Sequence, residues 1–510
     1  MGNPNKNTDS EDWVPVALPI PRHWVFADIE DALENISLNK IKIPQNDYLS
    51  SGKYPVIDQG AELIGGYTNS KDKVINSDRS VIIFGDHTKC FKYVSFPFAP
   101  GADGIKVLRP RCPIDEKFAY YACRSLRLPD RGYSRHYSFL KRSKFPLPPV
   151  GEQRRIVAKI EELFSDLDKG IESLKTAQEQ LTVYRQAVLK HAFEGKLTEQ
   201  WREENKDKLE AAEQLLALIK NEREARYQQQ LEEWKAAIKA WESKGNPGKK
   251  PLKPRTPKEV TSLTEGEMAG LSDLPNCWFW DKLGWMTCGV EYGTATKSTE
   301  YGKIPVLRMG NIQGAKFDWT DLVYTSDKAE IEKYLLQSGD VLFNRTNSPE
   351  LVGKTAIYRG EQPALFAGYL IRVNNIPTVV HSQYLNLFLS SHVAKHHGNK
   401  VKTDGVNQSN INGEKLQNYP FPYCSPPEQN EIIRILDEKL SITDQMEQDI
   451  GQELQKAEAL RQSILKKAFS GQLVAQDPSE EPASVLLEQI KAEKVEQEKN
   501  NKKNKRRNAA

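Results

Sequence analysis

Material for covalent or metal-bound frameworks is scarce in this sequence. Its 510 residues hold six cysteines (Cys90, Cys112, Cys123, Cys277, Cys288 and Cys424), and no two stand as a CxxC pair, so neither a zinc module nor a disulfide framework is written here. No run approaches the ~20 apolar residues that a membrane span needs. Met1 to Asp12 is polar, with no apolar core and no small-residue cleavage site, which argues against secretion. The expectation is a cytoplasmic protein with no membrane partner. An excess of one charge is also missing: 72 basic residues are nearly balanced by 69 acidic ones, for a net charge of +3. Any nucleic-acid surface must therefore come from how the charges are distributed.

Catalytic signatures are equally thin. There is no G-x-G-x-x-G dinucleotide fingerprint. Gly353-Lys354-Thr355 resembles the end of a phosphate-binding loop, but Ser348 stands where a glycine is needed five places earlier. His392, His396 and His397 have helical metal-ligand spacing without the glutamate of HExxH. Asp86-His87 has no serine or cysteine nucleophile motif beside it and reads as a turn stabilised by the aspartate. No catalytic residue and no metal site is expected on this chain.

What the sequence does contain is itself, twice. From Glu152-Gln153 and Glu428-Gln429 a constant offset of 276 positions matches Ile156 with Ile432, Asp168 with Asp444, Arg185-Gln186 with Arg461-Gln462, Ala192-Phe193 with Ala468-Phe469, and Gly195 with Gly471. After a five-residue slip the likeness resumes, Leu215, Leu216 and Ile219 answering to Leu486, Leu487 and Ile490. Apolar residues recur at steps of three and four through Ile156, Ile160, Leu163, Leu167, Ile171, Leu174, Leu181, Tyr184 and Val188, and through Ile432, Leu436, Leu440, Ile450, Ala457, Leu460 and Ile464, as in a coiled-coil seam. Ser425-Pro426-Pro427-Glu428 offers a capping box with proline at the first helical position, and Gly195 and Gly471 supply the stops. Each helix spans about 43 residues, roughly 65 Å, which calls for a partner along the seam. The economical partner is the other copy, running antiparallel; the alternatives are the helix's own domain or a different protein.

Ahead of each helix lies a unit of ordinary domain size. Both open on Leu-Pro and tryptophan (Leu18-Pro19…Trp24, Leu274-Pro275…Trp278) and close on a proline-rich run (Phe145 to Pro149, Tyr419 to Pro427). Short β-type runs lie inside: Tyr54 to Ile57, Val81 to Phe84, Ile304 to Leu307 and Asp340 to Phe343. Helix-like aromatic stretches run from Phe118 to Leu126 and from Tyr384 to Ser391. Elsewhere the two interiors diverge. The resulting division is a tail at 1–17, a first unit at 18–148, a spacer helix at 149–198, a charged helical extension at 199–245 and a linker at 246–270. A second unit follows at 271–425, a second spacer helix at 426–474, and a short helix with a basic tail at 475–510.

Particular motifs carry a family likeness. In the first unit they are Val56-Ile57-Asp58-Gln59-Gly60, Phe84-Gly85-Asp86-His87-Thr88 and Ala99-Pro100-Gly101-Ala102-Asp103-Gly104. In the second they are Arg308-Met309-Gly310-Asn311-Ile312, Gly339 to Arg345, and Val406-Asn407-Gln408-Ser409-Asn410-Ile411. With the Pro-Pro…Glu-Gln start and Ala-Phe-x-Gly end of both helices, the chain resembles the specificity subunits of type I restriction–modification enzymes over nearly its whole length. The resemblance implies an α+β fold in which two mixed α/β target recognition domains are joined by two long antiparallel coiled-coil helices, a tandem repeat in pseudo-two-fold arrangement. Each domain would read one half of a bipartite, asymmetric site in double-stranded DNA. The helices would set the spacing and seat two methyltransferase (modification) subunits, and through them the restriction/translocase subunits. The chain would bind no cofactor; S-adenosylmethionine, ATP and Mg would serve the partners, in adenine-N6 methylation and ATP-dependent cleavage. Two rivals stay open: an enzyme with a specificity domain attached, and a coiled-coil scaffold or regulator acting without an enzyme.

Arginine pairs with guanine, and asparagine or glutamine with adenine, while lysine mostly meets phosphate. On that basis the DNA-contact candidates in the first unit are Lys89, Lys92, Arg127, Arg131, Arg135, Lys141, Arg142 and Lys144, with Tyr133 and Tyr137 interleaved. In the second they are Arg308, Asn311, Asn344, Arg345, Asn347, Lys354, Lys400, Lys402, Asn407 and Gln408.

Overall fold

A computed structural model describes residues 19–38, 41–102, 104–132, 134–246, 248, 250–254, 256 and 260–507, with the backbone alone for 208 and 500–507. Leu18, Asp103, Tyr133, parts of the 246–270 linker and the side chains of the basic tail lie outside the described residues. The chain divides into two compact units, one of residues 1–176 with 450–510 and the other of residues 177–449.

In the first unit, Val81–Gly85 is apolar and buried along its length, as a central strand covered on both faces must be. It lies between Ile105–Pro110 and Phe91–Val94, and Leu33–Ile36 completes the antiparallel four-stranded sheet. Strand alternation splits its side chains between two cores. Ile82 and Phe84 join the helix Glu116–Ser125, and Val81 and Ile83 join Ile57, Ile105 and Val107. A three-stranded sheet orders Gly66–Thr68, Tyr54–Ile57 and Ala99–Pro100, the last two parallel. The unit's chain enters and leaves as one antiparallel ribbon, Val25–Asp28 on Lys144–Leu147.

The second unit repeats every one of these pairings although its interior sequence differs. Thr287–Tyr292, Leu370–Asn375, Val341–Asn344 and Thr355–Ile357 form the four-stranded sheet. Val323–Thr325, Ile304–Leu307 and Leu365–Phe366 form the three-stranded one, again with the last two parallel. Phe279–Lys282 on Pro420–Tyr423 is the ribbon, and Ser382–Leu389 the helix. Two additions are local: a hairpin of Ile312–Gln313 with Lys316–Phe317, and a small sheet ordering Thr346–Asn347, Ser409–Asn410 and Thr403–Asp404.

The long helices run Val150–Phe193 and Pro426–Phe469, 44 residues each. In the first unit Ile156, Ile160 and Phe164 pack with Ile464, Leu465, Ala468 and Phe469. In the second, Val188, Leu189, Ala192 and Phe193 share a core with Ile432 and Leu436. Within each unit the beginning of one helix therefore lies beside the end of the other, the antiparallel arrangement that the seams called for. One step of the seam departs from expectation. Tyr184 and its repeat mate Leu460 are 43% and 51% exposed, and the next residue of each copy turns inward instead. Arg185 pairs with Asp444, and Arg461 with Asp168, so the same two repeat positions exchange partners in both units. Arg461 also lies over the Phe164 ring, 4.8 Å from its centroid, and a leucine in its place could not make the ion pair. Partial burial pushes the Asp444 carboxyl up, but hydrogen bonds from Arg185 and Lys316 outweigh it and hold the group below its ordinary range.

Each domain is clamped to its helices by the same devices. The indole N–H of Trp24 donates to Glu152 at 2.9 Å, and that of Trp278 to Glu428 at 2.8 Å, both glutamates being fully buried. The neighbouring glutamines accept from the residue that caps each domain helix, Gln153 from the Asp115 N–H and Gln429 from the His381 N–H, both at 2.9 Å. Gly471 and Gly195, in left-handed conformation at φ +71° and +72°, let the helix ends close on the opening prolines, where a Cβ would meet Pro21 Cγ at 2.2 Å and Pro275 Cγ at 2.5 Å. The capping box expected at Ser425 does not form. Glu428 is drawn away to Trp278, to Thr198 at 2.7 Å and to Arg202 at 2.6 Å, and the Ser425 hydroxyl has no hydrogen-bond partner among the described residues.

Candidate nucleic-acid interface

In the first unit the basic segment 127–144 leaves the domain helix, crosses a short helix at Tyr137–Arg142 and returns as the closing strand. Asp86, buried to 4% exposure, pins it. Its carboxylate accepts from the Tyr137 N–H at 2.7 Å, its carbonyl accepts from the His136 N–H at 2.8 Å, and its own N–H donates to the Gly104 carbonyl at 2.6 Å. The Asp86-His87 motif is thus a turn that organises a loop fifty residues away. Arg127, Arg131, Arg135, Lys141, Arg142 and Lys144 are exposed along that segment. Arg131 lies over the Phe139 ring at 5.5 Å, Lys141 is 3.5 Å from Glu30, and Lys144 pairs with Asp28 at 2.6 Å. Lys89 reaches across to Asp130 at 3.0 Å, and its hydrogen bond lowers the carboxyl pKa of that exposed aspartate. Lys92 belongs elsewhere: it is 6% exposed, with Nζ 3.5 Å from Asp58. Burial withdraws it from any contact with a duplex.

The second unit sorts its candidates more sharply. Asn311 is 3% exposed and its amide is spent on its own turn, accepting from the Arg308 N–H at 2.8 Å and donating to the carbonyls of Asp318 at 3.0 Å and Asp321 at 2.8 Å. Asn344 is fully buried, its amide without a hydrogen-bond partner among the described residues. Both asparagines lie inside the domain, so neither offers an amide to a base. Arg308 pairs with Asp321 at 3.0 Å, and Arg345 stacks over the Tyr292 ring at 5.0 Å while donating to the Gly368 carbonyl at 3.3 Å. Lys354 donates to Gln313 at 3.0 Å on the rim of a 440 Å³ cavity shared with Lys395, whose ammonium pKa is lowered by burial and then by Lys354. The Asn347 side chain accepts from the Ser348 N–H at 2.9 Å. Lys402 donates to the Pro349 carbonyl at 3.0 Å, and Lys400, Asn407 and Gln408 are exposed.

Asn407 and Gln408 sit on a hairpin that the sequence reading did not find. Thr403↔Asn410 and Asp404↔Ser409 pair, and Gly405 to Gln408 form the tip. The Ile411 N–H donates to the Arg345 carbonyl at 2.9 Å, the bond that His136 makes to Asp86 in the first unit. Exposed polar groups therefore rise from the same topological place in both units, on an irregular basic segment in one and a hairpin in the other. Asp404-Gly405 was the available turn signal, but two-residue strands carry no readable alternation. Among the described residues no group of three or more His, Cys, Asp or Glu side chains could hold a metal ion, and no helix is long and apolar enough to cross a membrane. His392 and His396 stack on each other at 5.8 Å, and His397 packs on Tyr419 at 4.8 Å.

Two α/β domains of one topology, each clamped by a tryptophan to a buried glutamate of a long helix, define a class of protein built by internal duplication. Residues 21–182 and 290–456 match the family described as type I restriction modification DNA specificity domain. Those segments make up well over half of the chain, which belongs to the type I restriction–modification specificity subunits. The type I restriction enzyme EcoKI specificity subunit of Escherichia coli (strain K12) is 27% identical over 363 residues, 69% of this chain and 64% of that protein. The match thus spans a little under two thirds of the relative's length. A putative type I restriction enzyme MjaX specificity subunit of Methanocaldococcus jannaschii is 31% identical over 182 residues, 35% of this chain and 41% of that protein. Among solved structures, a chain described under complex assembly and conformational transition of the type I R-M system has the same fold, with a TM-score of 0.56 and 18% identity over 90% of this chain and all of that one.

Proposed function

We propose that this chain gives a type I restriction–modification complex its DNA sequence specificity, each domain reading one half of a bipartite, asymmetric site in double-stranded DNA. The observation that carries the proposal is the pairing of identical topology with unlike crests. The ribbon, the strand order of both sheets and the tryptophan-to-glutamate clamp are repeated, while the exposed candidates are Arg127, Arg131, Arg135, Lys141, Arg142 and Lys144 in one unit and Lys400, Asn407 and Gln408 in the other. A duplex has a two-fold related backbone, so a chain that repeats its frame and varies its crest imitates a dimer while reading two different half-sites. Exposed arginines and lysines supply the phosphate attraction that positions the protein, and amides and guanidiniums supply base readout.

In this reading the long helices set the separation of the half-sites and seat two methyltransferase subunits, which in turn recruit the restriction/translocase subunits. The chain contributes no chemistry; S-adenosylmethionine, ATP and Mg act on the partners. The test is to express the chain with its methyltransferase subunits and map the modified adenines across a genome. Modification at one interrupted, non-palindromic sequence, lost when residues 271–425 are deleted, is the expected result. Methyl transfer by the isolated chain, or modification without sequence preference, overturns the proposal.

A further inference from the structure

The hairpin tip carries a side chain that folding does not account for. Val406 is 100% exposed, among neighbours that are Gly405, Asn407 and Gln408. A β-branched apolar residue at a turn gains nothing from burial and fits the turn poorly. Its platform, however, is firmly built. The Gly405 N–H closes the tip on the Gln408 carbonyl at 2.7 Å, the Asn410 amide donates to Thr346 Oγ1 at 2.8 Å, and Lys415 donates to Thr403 Oγ1 at 2.6 Å. Ser409 is fully buried and its hydroxyl donates to the Asp404 carboxylate, which turns the tip's nearest negative charge onto the hairpin itself.

A two-stranded ribbon fits the major groove, about 12 Å wide, and only an A·T pair shows there both a methyl group and an edge that matches a carboxamide. Thymine presents its 5-methyl group and adenine its N6 and N7. The tip offers the complementary set, the methyls of Val406 next in sequence to the amides of Asn407 and Gln408, with the exposed Lys400 a few residues ahead of it in the chain. We infer that this tip reads an A·T pair in the half-site of the second unit, Val406 seated against the thymine 5-methyl group. The inference rests on the function proposed above.

The test uses the full chain assembled with its methyltransferase subunits and a duplex carrying the mapped target, each thymine replaced in turn by deoxyuridine. One such replacement should weaken wild-type binding about fourfold, the loss of one buried methyl group. Val406→Ser should weaken binding to the thymine duplex by a similar factor and be indifferent to that same replacement. Because Val406 touches no core, the variant should unfold at the same urea concentration as the wild type. Additive losses, a target in which no thymine methyl matters, or unchanged DNA binding with weakened capture of the methyltransferase subunits would overturn the inference and leave the proposed function standing. A wild-type complex that does not prefer the mapped target to a scrambled duplex would sink both.

Discussion

Glu152 and Glu428 occupy one position of the repeat and the same buried place under a tryptophan, yet their surroundings differ. Glu428 accepts from Trp278, Thr198 and Arg202, so both carboxylate oxygens are used. Glu152 accepts from Trp24 and from His23 at 2.9 Å on a single oxygen, and the other has no partner among the described residues. Removing Glu428 takes the counter-charge from a guanidinium that is only 13% exposed and keeps just its hydrogen bond to Thr198 and its place over the Trp278 ring. Losing one member of a buried pair costs about 3–5 kcal/mol. Removing Glu152 strands an indole N–H and a partly exposed imidazole, a loss of about 1–3 kcal/mol. Glu428→Ala should therefore lower the unfolding midpoint in urea more than Glu152→Ala does; equal losses would show that the Arg202 pair adds nothing. The same contrast explains why single residues were hard to read from the sequence. Asn311, Asn344 and Lys92 have the chemistry of DNA contacts, and only the fold reveals that one closes a turn and the other two are buried.

The long helices were legible because 44 residues of periodic seam outweigh any single misplaced step. What the periodicity misjudged was where a charged pair replaces an apolar step, at Tyr184 and Leu460, since an ion pair at a seam has no hydrophobic signature. The shared topology of the two domains was legible only at its frame, because the sheets repeat in hydrogen-bond pattern and not in side chains. The hairpin at Thr403 to Asn410 escaped notice for want of strand length. Glycines test the element-level account with opposite signs. Gly471 ends its helix at φ +71° with Pro21 against it, so Gly471→Ala should cost at least about 1 kcal/mol from the left-handed backbone alone, before any clash. Gly170 lies mid-helix in the same unit with open space where a Cβ would be, so Gly170→Ala should add roughly 0.5–1 kcal/mol. Urea unfolding of the two variants should move the midpoint in opposite directions, and a shift in the same direction would contradict the clamp at Pro21.

At the scale of the molecule, the function proposed above gives the repeat two tasks that a single domain would have to combine. On that proposal the exposed segments, which differ, decide which bases are read, and the helices, which carry the same pairing of Arg185 with Asp444 and of Arg461 with Asp168, decide where reading takes place. Because the tasks reside in different elements, the function proposed above makes them separable by mutation. Inserting four residues at matched points of both long helices adds about one turn, or ~6 Å, to each. Duplex DNA rises ~3.4 Å per base pair along a strand. The spacer between the half-sites should then grow by about one to two base pairs while the half-site bases stay as they were, read out by mapping modified adenines for the parent and the insertion variant in one host. Matched insertions keep the two seams in step, whereas insertion into one helix alone throws Arg185 and Arg461 out of register with their aspartates and should abolish modification. Changed bases at an unchanged spacing would mean that the helices take part in recognition and do not act as its ruler.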